Sequence, residues 1–262
     1  MKDIGAANCR TEPAIAQQVV VDSLTANLAG RGDRVVLIRI EQVDVVSPFH
    51  WLLVLRAGDP LRTLVSYART NVKIVAGYGG FSGPMDGATH QAIMDLAVVR
   101  ALPNMTVVVA SDHYQVRSLL PLVADLDGPV YLRLSRAEVV DVHEENTRFE
   151  IGKATPLKTG GEVTLITHGP ILGRVLAAAS VLEVHTLKPL DGEAILAEAA
   201  RTRAVVTVEE HNIIGGLGSA VSELLSENLP TPLRRIGIRA ARGKPDRMRS
   251  SSICTEWAFR TS

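Results

Sequence analysis

The 262-residue chain is 46% hydrophobic and 21% charged, with zero formal net charge. That is a globular balance, with length for one large or two ordinary α/β domains. Neutrality leaves no whole-molecule field to draw nucleic acid or an anionic membrane, and two distant cysteines, Cys9 and Cys254, exclude a disulfide scaffold or a zinc cluster.

No stretch approaches the roughly 20 apolar residues of a membrane-spanning helix. The start lacks the apolar core of a signal peptide. A soluble protein of a reducing cytoplasm is therefore expected.

In chain order, "EPAIAQQVVVDSLTANLAG" reads as a helix ended by Gly30 and "DRVVLIRI" as a strand, while "FHWLLVLRAGDPLRTLVSYAR" mixes apolar bulk with Gly58 and Pro60. From about residue 71 the pattern is regular. "NVKIVAGY" is a β-branched strand running into Gly77, Gly79, Gly80 and Gly83. A helix is predicted from His90 to Leu102, with Ile93, Leu96 and Ala97 on one face. "MTVVVAS" is a buried strand, "HYQVRSLLPLVADL" a helix and "PVYLRLS" the next strand. Continuous apolar strands separated by helices imply parallel βαβ units.

Residues 136–161 are charged and rich in turn signals, which predicts an interdomain linker leading to an edge strand near Phe149. A second α/β pattern follows. "EVTLITHG" is a strand, "PILGRVLAAASVL" a helix and "EVHTLKPL" a strand. "DGEAILAEAARTR" is a helix capped by Asp191, with Glu193 and Glu198 outward. "AVVTVEEH" is a strand, "GLGSAVSELLSENL" a helix and "LRRIGI" a last strand. The predicted fold class is α/β: two stacked domains, each a mostly parallel sheet with helices on both faces.

Three stretches carry chemistry. In "GYGGFSGPMDGATHQ" a glycine loop after a strand lets backbone approach a ligand, and the following helix start offers free N–H groups. Asp86 and His90, four apart, could touch, and a carboxylate beside an imidazole fixes its tautomer and raises its pKa. The competing reading is a cap formed by Thr89 or Asp86 with His90 solvated. In "YLRLSR", Arg133, Ser135 and Arg136 end a strand, where an arginine can grip phosphate bidentately or simply pair with a surface acid. In "VEEHNIIGGLGSAV", Glu209, Glu210 and His211 suggest a metal only weakly, because neighbours on a strand face opposite sides. The glycines there suit tight turning and domain packing better than a dinucleotide fingerprint. Arg234 to Arg249 carries seven basic residues against one acid, a possible nucleic-acid contact, but a solvated terminus is favoured because no aromatics interleave it.

The stretches "DGATHQAIMDLAVVRALPNMTVVV", "GPVYLRLSR", "FEIGKA", "VTLITHGP", "HTLKPLD" and "TVEEHNIIGGLGSAV" together resemble the transketolase family, specifically the C-terminal subunit of split transketolases. The likeness covers roughly residues 71–238. It implies a thiamine-diphosphate-binding fold at 1–140, shortened, a linker at 141–161 and a transketolase C-terminal-like domain at 162–262. It also implies an enzyme that moves a two-carbon ketol unit between sugar phosphates.

The resemblance implies a shared cofactor site. Mg²⁺ and the diphosphate would be held by a separate N-terminal subunit, since this chain has no Gly-Asp-Gly…Asn motif and supplies no metal ligand. Carried over by position, His90 with Asp86 would contact the donor ketose and assist proton movements, Arg136 would grip the acceptor phosphate, and Arg10 would do likewise. Glu41, in "RIEQVD", would hydrogen-bond the pyrimidine nitrogen and start cofactor activation, with Trp51 as the ring's stacking partner. A homo- or hetero-oligomer follows, with no membrane and nucleic acid disfavoured.

The chain departs from the pattern in places. Residues 41–90 are shortened, Tyr78 stands where a second histidine is expected, and the text after Ile238 no longer resembles the family. Missing core pieces expose apolar surface, which favours partners. A non-catalytic partner or regulatory subunit is the alternative.

Overall fold

A computed structural model describes residues 35–40 and 43–48 as backbone, and residues 54–55, 57–82, 91–176 and 180–239 with their side chains. The β-branched runs form strands where the sequence reading places them: β1 Val35–Ile40, β3 Val72–Ala76, β4 Thr106–Val109 and β5 Val130–Arg133. One strand, β2 Val43–Pro48, has no counterpart in that reading; it pairs antiparallel with β1 and parallel with β3. A helical turn Gly58–Pro60 continues as the π-helical Leu61–Tyr67, together α1.

The remaining elements are helices α2 Asp95–Ala101 and α3 His113–Asp125, strands β6 Thr155–Lys158, β7 Val163–Thr167, β8 Val181–Glu183 and β9 Thr186–Lys188, the 3-10 turn Gly169–Ile171 with helix α4 Leu172–Val175, helix α5 Gly192–Arg201, strand β10 Ala204–Asn212, helix α6 Leu217–Asn228 and strand β11 Leu233–Ile238.

They build two sheets, ordered β1-β2-β3-β5-β4-β9 and β11-β10-β7-β8-β6. Each is mostly parallel, with antiparallel pairings at β1/β2, β4/β9 and β6/β8. Alternate side chains of β4 enter two different cores. Val107 and Val109 pack with Leu96 and Val99 of α2, while Val108 packs with Leu119 and Val123 of α3. Both faces of the first sheet are thus covered, which is why its strands read as continuous apolar runs. The core that includes α2 continues through Leu182, Leu187, Ile195, Leu217 and Val221 into the second half of the chain.

Several expectations are corrected. The segment read as one strand, Glu183 to Leu190, is divided: β8 lies in the second sheet, and β9 crosses to the edge of the first, where it pairs with β4. The first sheet therefore contains a strand from the chain's second half. Phe149 is not in a strand; it is buried at the joint, edge-on to His143 and His185, and the edge strand is β6. Glu198 does not face outward. It is 7% exposed and its Oε1 accepts from Arg201 Nη1. Asp191 does cap α5, accepting from Ala194 N.

Helix α2 begins at Asp95, later than the periodicity predicts. Ala92 O is taken by Gly80 N, and Ile93 O by Asn212 N. Those carbonyls are the ones a helix would need for its next turn, so long-range pairing delays its start.

The linker is held by a buried cluster. Asp112 caps α3 through Gln115 N and also accepts from the backbone N–H groups of Val142 and His143 and from the His143 ring. The far side of that ring meets Glu183 Oε2 at 2.9 Å. Burial alone would lower His143; the hydrogen bonds and charges of Asp112 and Glu183 instead raise it to about 9. Burial would likewise raise Asp112, yet its bonds from His143, Gln115 and Val142 hold its carboxyl well below the usual range.

Candidate active site at the carboxyl ends of the first sheet

Ligands of open α/β sheets bind beyond the carboxyl ends of the parallel strands. In the first sheet that place is built from the chain after β3 and after β5. The segment leaving β3 turns through Tyr78 (φ +62°) and Gly80 (φ +63°). Gly79 N donates to Leu134 O, just past β5, and Gly80 N to Ala92 O, which ties the outgoing arm of a loop to its return. A left-handed tyrosine is uncommon. Here it is 7% exposed, and the guanidinium of the exposed Arg136 lies 4.9 Å from its ring centroid. That spacing is within cation–π range.

Behind the loop lies a buried ionic network. Asp95 Oδ2 accepts from Tyr131 Oη and Arg133 Nε, each at 2.8 Å, and Asp95 Oδ1 accepts from Arg133 Nη2 at 3.3 Å. Arg133 is 2% exposed. Its Nη2 also donates to Ala92 O and to Glu210 O. The expectation that Arg133 could grip a phosphate is therefore corrected, since the side chain is 2% exposed and its Nε and Nη2 donate inside the protein. Burial and the adjacent Asp95 charge raise Tyr131 well above its ordinary value.

Glu209 and His211 leave β10 on the same side, with His211 Nδ1 3.9 Å from Glu209 Oε2, while Glu210 leaves on the other, toward Gly80. Glu209 caps α6, accepting from Leu217 N at 2.8 Å and Gly218 N at 2.9 Å, while burial pushes its carboxyl up to about 7. Glu210 lies against Gly80, and burial raises it too. His211 is fully buried 3.8 Å from Asp95 Oδ1, and burial lowers it to about 4. No group of three or more potential metal ligands occurs among the described residues. Gly215 (φ +82°) sits so close to α2 that a Cβ there would collide with the Ala97 side chain, which is the domain-packing role read from the sequence.

Of the sequence-predicted site residues, Arg136 is placed at this mouth. Arg10, Glu41, Trp51, Asp86 and His90 lie outside the described residues. So does the basic tail beyond Arg239; within the described part, Arg235 Nη1 donates to Ile213 O. The sequence reading missed the Asp95–Arg133 pair. An acid in the first turn of a helix was its only local signal, and helix starts ordinarily carry acids.

The transketolase pyrimidine-binding domain family matches residues 45–140, and the transketolase C-terminal domain family matches residues 152–256. One of the subunits of apulose-4-phosphate transketolase from Phocaeicola vulgatus is 38% identical over 238 residues, which is 87% of this chain and 73% of that protein. The chain belongs to the transketolase family. The 6-deoxy-6-sulfo-D-fructose transketolase subunit SqwH of a Clostridium strain is 42% identical over 199 residues, covering 72% of this chain. The chain spans 62% of that relative's length. A solved split-gene transketolase, described as an inactive β4 tetramer, superposes with a TM-score of 0.72 at 35% identity over 87% of this chain and 74% of its own. The two-sheet α/β architecture is thus that of a split transketolase subunit, and the family is one that uses thiamine diphosphate. No helix among the described residues is long and apolar enough to cross a membrane.

Proposed function

We propose that the chain is the C-terminal subunit of a thiamine-diphosphate-dependent transketolase and transfers a two-carbon ketol unit between sugar phosphates. A separate subunit holds the diphosphate and Mg²⁺, and the two assemble as an oligomer in the cytoplasm. One observation carries the reading: an exposed arginine, Arg136, is held over Tyr78 where the parallel strands of a pyrimidine-binding-type domain end. A guanidinium in that place matches the bidentate geometry of a sugar phosphate.

The described residues suit the sugar end of such a site, since they offer an exposed cation beside a glycine-rich strand exit. When bound, the cofactor supplies the nucleophilic carbon that carries the two-carbon unit. The chain's own residues then divide the work. Glu41 would hydrogen-bond the pyrimidine nitrogen and Trp51 would stack on the ring. His90 with Asp86 would contact the donor ketose and assist its proton movements. Arg136, with Arg10, fixes the phosphate so that the reacting carbons are held in register.

The test is reconstitution. The chain is mixed with a diphosphate-binding transketolase subunit, thiamine diphosphate and Mg²⁺, and ketol transfer is followed. Activity that disappears in Glu41→Ala and His90→Ala supports the reading. Absence of activity with every such subunit refutes it and leaves the non-catalytic partner role.

A further inference from the structure

The glycine loop is threaded between the two halves of the molecule. On one side a Cβ at Gly79 would lie 3.0 Å from Leu134 O and 3.1 Å from Arg133 Cγ and Nε. On the other, a Cβ at Gly80 would lie 2.8 Å from Glu210 Cβ and Oε2 and 3.0 Å from Glu210 O. Only glycines allow β5 and β10 to close on the backbone this tightly.

The loop's return arm is held by the same two elements. Ala92 O accepts from both Gly80 N and Arg133 Nη2, and that Nη2 also reaches Glu210 O at 3.2 Å. One residue on, Ile93 O accepts from Asn212 N at 2.9 Å. Both arms are thus referenced to the end of β10, a strand of the second sheet. Arg133 is kept in place by Asp95, which is fully buried, so the fork has no water to relax into.

We propose that Arg133 and Glu210 are positioning residues through which the second domain sets the place of the first domain's substrate loop. The loop's substrate role rests on the function proposed above, while its mechanical coupling to β10 does not. On this view the C-terminal domain is part of the catalytic apparatus, acting through the backbone of residues 78–82 and 91–93. Glu210 touches the loop from outside the first sheet, and Arg133 joins both arms to it.

Hydrogen exchange of the full chain, without cofactor or partner, tests the coupling. In Gly80→Ala, whose Cβ would meet Glu210 Cβ and Oε2 at 2.8 Å and so push β10 off the loop, the amides of Gly79, Gly80 and Ala92 exchange about tenfold faster, while β4 keeps the wild-type rate. Arg133→Lys, which keeps the charge but loses the fork, does the same. Unchanged exchange at those three amides overturns the proposal, as does an equal acceleration in β4, which reports only lost stability.

In the reconstituted enzyme, Arg133→Lys, which loses the fork that joins Ala92 O to Glu210 O, raises KM for the ketose and leaves kcat nearly unchanged. An unchanged KM in a working enzyme overturns the positioning role. If no diphosphate-binding chain restores ketol transfer, the proposed function fails, and the exchange experiment still decides the coupling.

Discussion

The guanidinium carbon of Arg136 lies 4.9 Å from the ring centroid of Tyr78, so the exposed cation at the strand ends rests on a buried, left-handed tyrosine. A hydrogen bond to a charged group is worth about 1.5–3 kcal/mol. Arg136→Ala should therefore raise KM for a phosphorylated acceptor about ten- to a hundredfold and leave kcat nearly intact. Tyr78→Ala, which removes the ring under the guanidinium, should follow Arg136→Ala part of the way. Steady-state kinetics with phosphorylated and dephosphorylated acceptors checks this, since only the former should respond.

Asp95 and Arg133 form an ion pair with 0% and 2% side-chain exposure. Removing one partner strands the other charge in the core, at a cost of about 3–5 kcal/mol. Asp95→Leu alone should lower the stability to urea by that amount. Adding Arg133→Met should recover part of the loss, because the Arg133 guanidinium is then no longer stranded without Asp95. Chemical denaturation of the two single variants and the double variant measures the coupling.

The linker cluster makes stability depend on pH. His143 is raised from 6.5 to about 9 in the fold, so its contribution is complete below about pH 6.5 and is lost as the pH rises through 9. Asp112 is shifted down, so its part is present above the ordinary carboxylate range and lost only on strong acidification. Lys73, lowered to about 8 by burial, acts in the opposite sense above pH 8. The informative quantity is therefore wild type minus His143→Gln. That difference should shrink by about 1–3 kcal/mol between pH 6.5 and 9.5, read from melting curves; a constant difference would refute the account.

Gly215 has φ +82° and no room toward Ala97. A Cβ there adds left-handed strain of about 1–2 kcal/mol and overpacking of about 1–3 kcal/mol. Gly215→Ala should destabilise the chain by at least about 2 kcal/mol, the sum of the two lower bounds. Gly215→Ala with Ala97→Gly should relieve only part of the overpacking, because the Ala97 Cα still lies 2.9 Å from the new Cβ. Denaturant unfolding distinguishes the two contributions.

Much of the architecture was legible from local pattern. Runs of β-branched residues produced β3, β4 and β11 near the expected places, because strand preference and buried alternation are properties of adjacent residues. The Asp191 cap was legible for the same reason. The exit from β3 through Gly79 and Gly80 was legible as a glycine-rich turn, while Asp86 and His90 lie outside the described residues.

The sequence by itself thus determined the α/β class, the order of most elements, the family and an exposed arginine at the strand ends. Tertiary structure alone decided how charge is spent. Arg133 and Asp95 are 38 residues apart, and Arg133 and Glu210 are 77 apart, so no local rule distinguishes the arginine consumed in the core from the one placed at the mouth. It also decided that Val181–Lys188 serves both sheets and that α2 starts at Asp95, since both outcomes depend on carbonyls and sheet edges supplied by distant chain. Periodicity reports which face is apolar; it does not report which partner arrives there.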